Sequence, residues 1–143
     1  MKTLTFIVCL LTVSLGASAR EVNEQVLKIF ASTFPEAKSV AWEEMKDGYK
    51  VFFVKNKVSY RIRYDEDGNV LLALKYYSED GLPPLILNKV KKNYKDFKVH
   101  SVVEESSESA LTYHIILEND KKIINLKSDP VGSLEVESKY NKG

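Results

Sequence analysis

What the chain lacks narrows it first. It holds one cysteine, Cys9, and that residue lies inside an N-terminal apolar run. The remainder therefore has no disulfide framework, cysteine metal site or thiolate nucleophile. Histidine occurs only at His100 and His114, in no metal-binding spacing such as HExxH. No glycine elbow frames a serine nucleophile, and no glycine-rich loop is present to cradle a phosphate. Carboxylates are plentiful, but nothing gathers Glu43, Glu44, Glu104, Glu105 or Glu118 across a cleft, as acid–base chemistry requires. An excess of one charge is missing too, with 21 Lys and Arg against 20 Asp and Glu. A nucleic-acid binder needs a basic footprint and a membrane-surface protein a polybasic segment, so both classes fall away. The expectation is a protein that is not an enzyme and carries no cofactor.

The chain opens MKTLTFIVCLLTVSLGASAR. Lys2 supplies a positive start, and Leu4 to Leu15 is an apolar run too short to span a bilayer. Ala17-Ser18-Ala19 is a small-residue cleavage site. Residues 1–19 therefore read as a signal peptide cut before Arg20, which places the protein in the periplasm with no integral membrane segment after cleavage. Cleavage removes Cys9, so a hydrophobic core must hold the exported chain together.

The stretch from Tyr49 to Tyr77 recurs. Tyr49 returns as Tyr113, Val51 as Ile115, Phe53 as Leu117, Ile62 as Leu126, Asp65 as Asp129 and Gly68 as Gly132, each 64 positions on. Val22, Val26, Leu27, Phe30 and Phe34 form a helical stripe ended by Pro35. Ile86, Leu87, Val90 and Tyr94 repeat that stripe after Pro83-Pro84, residues suited to a first helical turn. The Ser106–Ser109 loop accounts for most of the change in offset between helices and strands. The pattern predicts an α+β chain of two tandem units over residues 20–80 and 81–143, each a helix followed by four antiparallel strands. One helix covers one face of such a sheet and leaves the other open.

Hairpin geometry sets the expected faces. Asn56-Lys57 as a two-residue connection sets Lys55 against Val58, Phe53 against Tyr60 and Val51 against Ile62. The Asp65–Gly68 turn then sets Tyr64 against Val70 and Ile62 against Leu72. The face beneath the helix would collect Tyr49, Val51, Phe53, Tyr60, Ile62, Tyr64, Val70, Leu72, Leu74 and Tyr76. The open face would collect Phe52, Val54, Ala73 and Leu71 among Lys50, Arg61, Arg63 and Lys75. Trp42 lies on the strand Lys38 to Met45. With Asp47-Gly48 as a two-residue turn it faces Phe53 in the core, and with one residue more it joins Phe52 on the open face.

Two functions follow. In the first, a periplasmic protein partner buries the apolar centre of the open face while arginines read carboxylates at its rim, with Phe52, Val54, Arg61, Arg63, Leu71, Lys75 and Trp42 as the contact residues. A homodimer is the other occupant of that face. In the second, Asp65, Asp67 and Asn69 offer three oxygen ligands to calcium or a small ligand. Against calcium, Gly68 comes too early for a calcium loop and Tyr76 stands where its glutamate belongs.

Phe34-Pro35, Val40-Ala41-Trp42, Tyr49-Lys50-Val51, the turn from Tyr64 to Gly68, and Leu82-Pro83 together resemble the PepSY-like family of periplasmic proteins, also described as beta-lactamase-inhibitor-like (BLIP-like). The resemblance runs over the whole chain after residue 19. It implies that the two units join into one curved sheet with both helices on one face, and that the role is binding or inhibition. The second copy departs from the pattern: it has no tryptophan, and Asp129-Pro130-Val131-Gly132 replaces the acidic turn. A function resting on those positions belongs to the first copy.

Overall fold

The computed structural model describes residues 21–143, so the signal-peptide reading of residues 1–19 lies outside the described residues. Helix α1 spans Glu24–Thr33. Asn23 starts it by accepting the Gln25 N–H at 2.8 Å, and Glu24 places a negative charge at the positive end of the helix dipole. Pro35 follows its last turn. Strands β1 (Lys38–Met45), β2 (Gly48–Lys55), β3 (Val58–Tyr64) and β4 (Val70–Tyr77) come next. A 3-10 turn at Glu79–Gly81 leads into α2 (Pro84–Asn93), whose first turn holds proline and whose last turn holds Lys91 and Lys92. Strands β5 (Lys98–Ser106), β6 (Leu111–Glu118), β7 (Lys122–Ser128) and β8 (Leu134–Asn141) complete the chain.

The strands form one eight-stranded antiparallel sheet in sequence order, with β4 paired to β5. Both helices lie on the same side of it. On β4, where alternate residues share a face, Ala73 packs against the cluster under α1 and Tyr77 against the cluster under α2. Val26, Phe30, Val51, Phe53, Ile62 and Tyr64 make the first cluster. Leu82, Ile86, Val90, Val102, Tyr113, Ile115, Leu117, Ile124 and Leu126 make the second. No helix among the described residues is long and apolar enough to cross a membrane.

The β2–β3 register is the one expected from the Asn56-Lys57 connection, with Phe53 opposite Tyr60 and Val51 opposite Ile62. The β3–β4 register is not. Tyr64 does face Val70, but Arg63 then faces Leu72 and Ile62 faces Ala73 rather than Leu72. One extra residue, Leu71, bulges out of β4, and every later side chain on that strand changes face. Leu72, Leu74 and Tyr76 therefore belong to the open face, while Ala73, Lys75 and Tyr77 point to the helices. The β1–β2 turn also differs. Met45 faces Gly48, so Lys46-Asp47 is the two-residue turn and Trp42 faces Val51. The shift moves Trp42's partner by two residues, which preserves its side. Its ring lies edge-on to Phe30, with centroids 5.2 Å apart, in the core beneath α1.

Candidate functional site

The open face is built outward from Arg61. This residue sits mid-strand on β3, paired with Phe52 on one side and Leu74 on the other. Its guanidinium carbon lies 4.9 Å from the centre of the Phe52 ring and 5.7 Å from that of Tyr76. Both distances suit attraction between the cation and ring π-systems. The bulge at Leu71 makes this possible, because it turns Tyr76 to the Arg61 side. Lys50 approaches the Phe52 ring at 5.4 Å and pairs with Glu43 at 2.7 Å. Arg63 reaches Asp47 at 3.3 Å, and its buried Nε has no acceptor. Among the described residues no carboxylate pairs with Arg61.

Beside these rings lies a shallow groove of 410 Å³, lined by Ser39, Val54, Ser59 and Tyr76 with Phe52 and Arg61, and reaching Phe53 and Tyr60. Ser39 adopts φ +54° at the irregularity where β1 leaves its regular pairing with β2. Such a break shortens a paired edge and here exposes the end of β2. Toward β4, the half-buried Leu72 and Leu74 continue the apolar surface.

The same face of the C-terminal half has the opposite character. His114 lies between two carboxylates, with Nδ1 3.2 Å from Glu137 and Nε2 3.6 Å from Glu105. Glu118 takes Lys142 at 3.0 Å and His100 at 2.9 Å. The Lys142 hydrogen bond, followed by that of His100, holds the Glu118 carboxyl below its usual range. Glu135 adds a fourth carboxylate opposite Lys127.

Of the residues expected to contact a partner, the structure brings Phe52, Val54, Arg61 and Arg63 together. It removes Trp42 to the core. Lys75 lies on the helix side, where its ammonium meets Glu104 at 2.7 Å and the Tyr77 hydroxyl donates to the other Glu104 oxygen at 2.9 Å. That cluster joins β4 to β5 between the two cores. Burial first, then the Glu104 hydrogen bond and charge, push the Tyr77 phenol far above its ordinary value, so it serves as a donor and stays neutral. Leu71 is the bulged residue and stands apart from the groove. Leu72, Leu74 and Tyr76 are the open-face residues that sequence reasoning missed. The run Val70 to Leu74 is apolar throughout and gives no alternation to mark a face.

The Asp65–Asn69 turn is closed on itself. Asp65 Oδ1 accepts the N–H groups of Asp67 at 3.0 Å and Asn69 at 2.8 Å, and Oδ2 accepts the Asn69 side-chain amide at 2.8 Å. The Asn69 side chain is the largest cause of the lowered Asp65 pKa. Both carboxylate oxygens thus face N–H donors, whose positive ends oppose a cation at the same place. Among the described residues no three His, Cys, Asp or Glu side chains converge on a metal-holding arrangement.

No family model matches the sequence, and no curated protein matches it. Solved structures do share the fold. A BLIP-like protein from Bacteroides fragilis superposes with TM-score 0.66 at 20% identity, over 86% of this chain and 89% of that one. A candidate periplasmic protein from Bacteroides eggerthii gives 0.63 at 19% identity over 85% and 89%. A DUF2874 family protein from Bacteroides ovatus gives 0.63 at 21% over 85% and 88%. The open antiparallel sheet with two helices on one side is therefore a BLIP-like fold.

Proposed function

We propose that the protein is an exported, non-enzymatic binding module that docks a periplasmic protein on the open face of its sheet and thereby inhibits or regulates it. The observation that carries this reading is Arg61, held between Phe52 and Tyr76 without a carboxylate of its own. A cation whose position is set by two aromatic rings is organised before binding, so a partner carboxylate gains a donor at little ordering cost. Val54, Leu72 and Leu74 supply apolar area around it, and Arg63 and Lys50 form its rim. The likeness in fold to a BLIP-like protein and to a candidate periplasmic protein supports the role and the compartment. Kinship with PepSY-like proteins belongs to the same proposal, as do two α-plus-β4 units over residues 20–80 and 81–143. Nothing in the closed Asp65–Asn69 turn favours calcium.

A photo-crosslinker at Val54, used in a periplasmic fraction, would capture the partner for identification by mass spectrometry. Binding of that purified partner is then measured. Arg61→Glu with Phe52→Ala is expected to weaken it by more than about tenfold. An unchanged dissociation constant would remove the open face from the function.

A further inference from the structure

The open face carries opposite charges on its two halves. On β2 and β3 it presents Lys50, Arg61 and Arg63, countered by Glu43 and Asp47, which leaves an excess of one positive charge. On β5, β6 and β8 it presents Glu105, Glu118, Glu135 and Glu137, countered by Lys127 and Lys142, which leaves an excess of negative charge. Between them, on β4 and β5, lies the apolar strip of Leu72, Leu74, Tyr76 and Val103. The apolar strip is central in the eight-strand order, and the charged groups flank it on either side.

We propose that this face is self-complementary, so that a second copy of the chain occupies it in the absence of another partner. The symmetry follows from the charges. A two-fold axis running across the strands would lay β1 on β1 and set basic groups against basic groups. An axis running along the strands at the β4–β5 junction lays β1 over β8 and β3 over β6. It also lays β4 over the partner's β5, so that Tyr76 meets the partner's Val103 and Leu74 covers the partner's Glu105, and it sets each basic half against the partner's acidic half, an isologous contact. The two sheets would then stack with aligned strands, about 10 Å apart, as in a β-sandwich.

One pair can be specified. Arg61, Leu74 and Glu105 lie in one row across β3, β4 and β5. Within a chain, Arg61 and Glu105 are two strands apart, about 9–10 Å at the usual spacing, and they do not pair. The two-fold along β4–β5 halves that lateral offset between copies, and the long Arg61 side chain spans the remainder. Both copies contribute, so the contact forms twice.

Sedimentation velocity over a range of concentrations, on the purified protein alone, tests this. A reversible dimer is expected, weakened as salt rises from about 50 mM to about 500 mM. Arg61→Glu and Glu105→Arg should each raise the dimer dissociation constant at least about tenfold. The decisive sample is the mixture of these two variants. In the mixed dimer both contacts pair opposite charges again, so the mixture should dimerise where each variant alone is monomeric. Circular dichroism of each variant checks that it is folded, and the double variant, which restores both contacts within one sequence, should dimerise even if one single variant misfolds. A wild type monomeric at every concentration overturns the proposal. So does a dimer indifferent to both substitutions, or a mixture that stays monomeric. A monomer that still binds a captured periplasmic partner would overturn self-association alone and leave the proposed function standing.

Discussion

Beneath α1 the core is centred on interlocking rings, and beneath α2 it is mainly branched aliphatics with a single buried ring, Tyr113. Phe53 stacks on Tyr60 at 4.7 Å and meets Phe30 edge-on at 5.1 Å, while Trp42 closes on Phe30 and Tyr64. At the matching places beyond α2 stand Leu117 for Phe53, Ile124 for Tyr60, Val90 for Phe30, Val102 for Trp42 and Ser128 for Tyr64. Among the described residues the only ring pair of that half is Tyr94 with Phe97, at 6.2 Å. The same element order, a helix followed by four strands, thus occurs with two packing chemistries. Hydrophobicity and strand period select that order, whereas ring geometry adds directional contacts to one half only. The half with the rings inside is also the half that displays Arg61 between rings outside.

The sharpest difference between the halves is at the backbone. Gly48 has φ +139°, and a Cβ there would overlap the Tyr64 carbonyl oxygen. Its counterpart in the other half is Thr112, which carries a side chain in the regular strand β6. Gly48→Val should cost roughly 3–4 kcal/mol or prevent folding, while Thr112→Val should stay within about 1 kcal/mol. Urea unfolding of the two variants measures this, and comparable losses would mean that the halves share one turn geometry after all.

Next in size is the comparison of the cores themselves. Phe53→Ala removes contacts to Phe30, Phe34 and Tyr60. It should cost about 4–5 kcal/mol, against about 3–4 for Leu117→Ala. If Leu117→Ala proves the costlier in denaturant unfolding, ring geometry adds nothing beyond buried area, and the contrast between the halves reduces to composition.

The parts of this arrangement legible in the sequence are those fixed by short connections. Asn56 and Lys57 both adopt positive φ, at +51° and +65°, as a two-residue hairpin requires, so the β2–β3 faces followed directly. The bulge at Leu71 left no mark, because Val70, Leu71, Leu72, Ala73 and Leu74 are all apolar and either face would accept any of them. Lys75 illustrates the cost of that ambiguity. A lone lysine suggests solvent, but its partner Glu104 arrives from β5, whose pairing with β4 no local signal announces. Trp42 is among the expected contact residues but lies in the core, because its turn slipped by one residue, which moves its partner by two and keeps it on the Phe53 side. Arg61 was visible as a cation beside Phe52. Its second ring, Tyr76, was hidden by the same bulge.

The matched turns offer a finer contrast. Gly68 and Gly132 share φ of +86° and +80°. A Cβ on Gly68 would overlap Cδ1 of the half-buried Ile29 on α1, whereas on Gly132 it would lie 3.1 Å from Cδ of Lys89, whose ammonium donates to the Val131 and Gly132 carbonyls. Both alanine variants pay roughly 1–2 kcal/mol for the left-handed backbone, and Gly68→Ala should lose about 1 kcal/mol more by overpacking. Because β4 pairs with β5, each variant should melt in a single transition in calorimetry. Two separately shifted transitions would show that the halves unfold independently.

The smallest effect lies in the carboxylates of those turns. Asp129 accepts the N–H groups of Val131 at 3.1 Å and Ser133 at 2.8 Å, much as Asp65 accepts those of Asp67 and Asn69. Both carboxyls are held below the ordinary value of 3.8, Asp65 chiefly by the Asn69 side chain and Asp129 chiefly by the Ser133 backbone N–H. A folded-state pKa below the unfolded one stabilises fully above the unfolded value, and that contribution disappears as pH falls through the folded value. Stability should therefore be flat above about pH 5 for these groups and decline below pH 3.8, the region where the unfolded carboxyls take up protons first. Asn69→Ala removes the side-chain amide but keeps the backbone donor, whereas serine, as at Ser133, would bring a hydroxyl donor of its own. Carbon-detected NMR titration should then show the Asp65 pKa rising toward 3.8, with Asp129 unmoved as the internal reference. If Asp65 titrates unchanged in Asn69→Ala, the backbone N–H groups alone hold its charge.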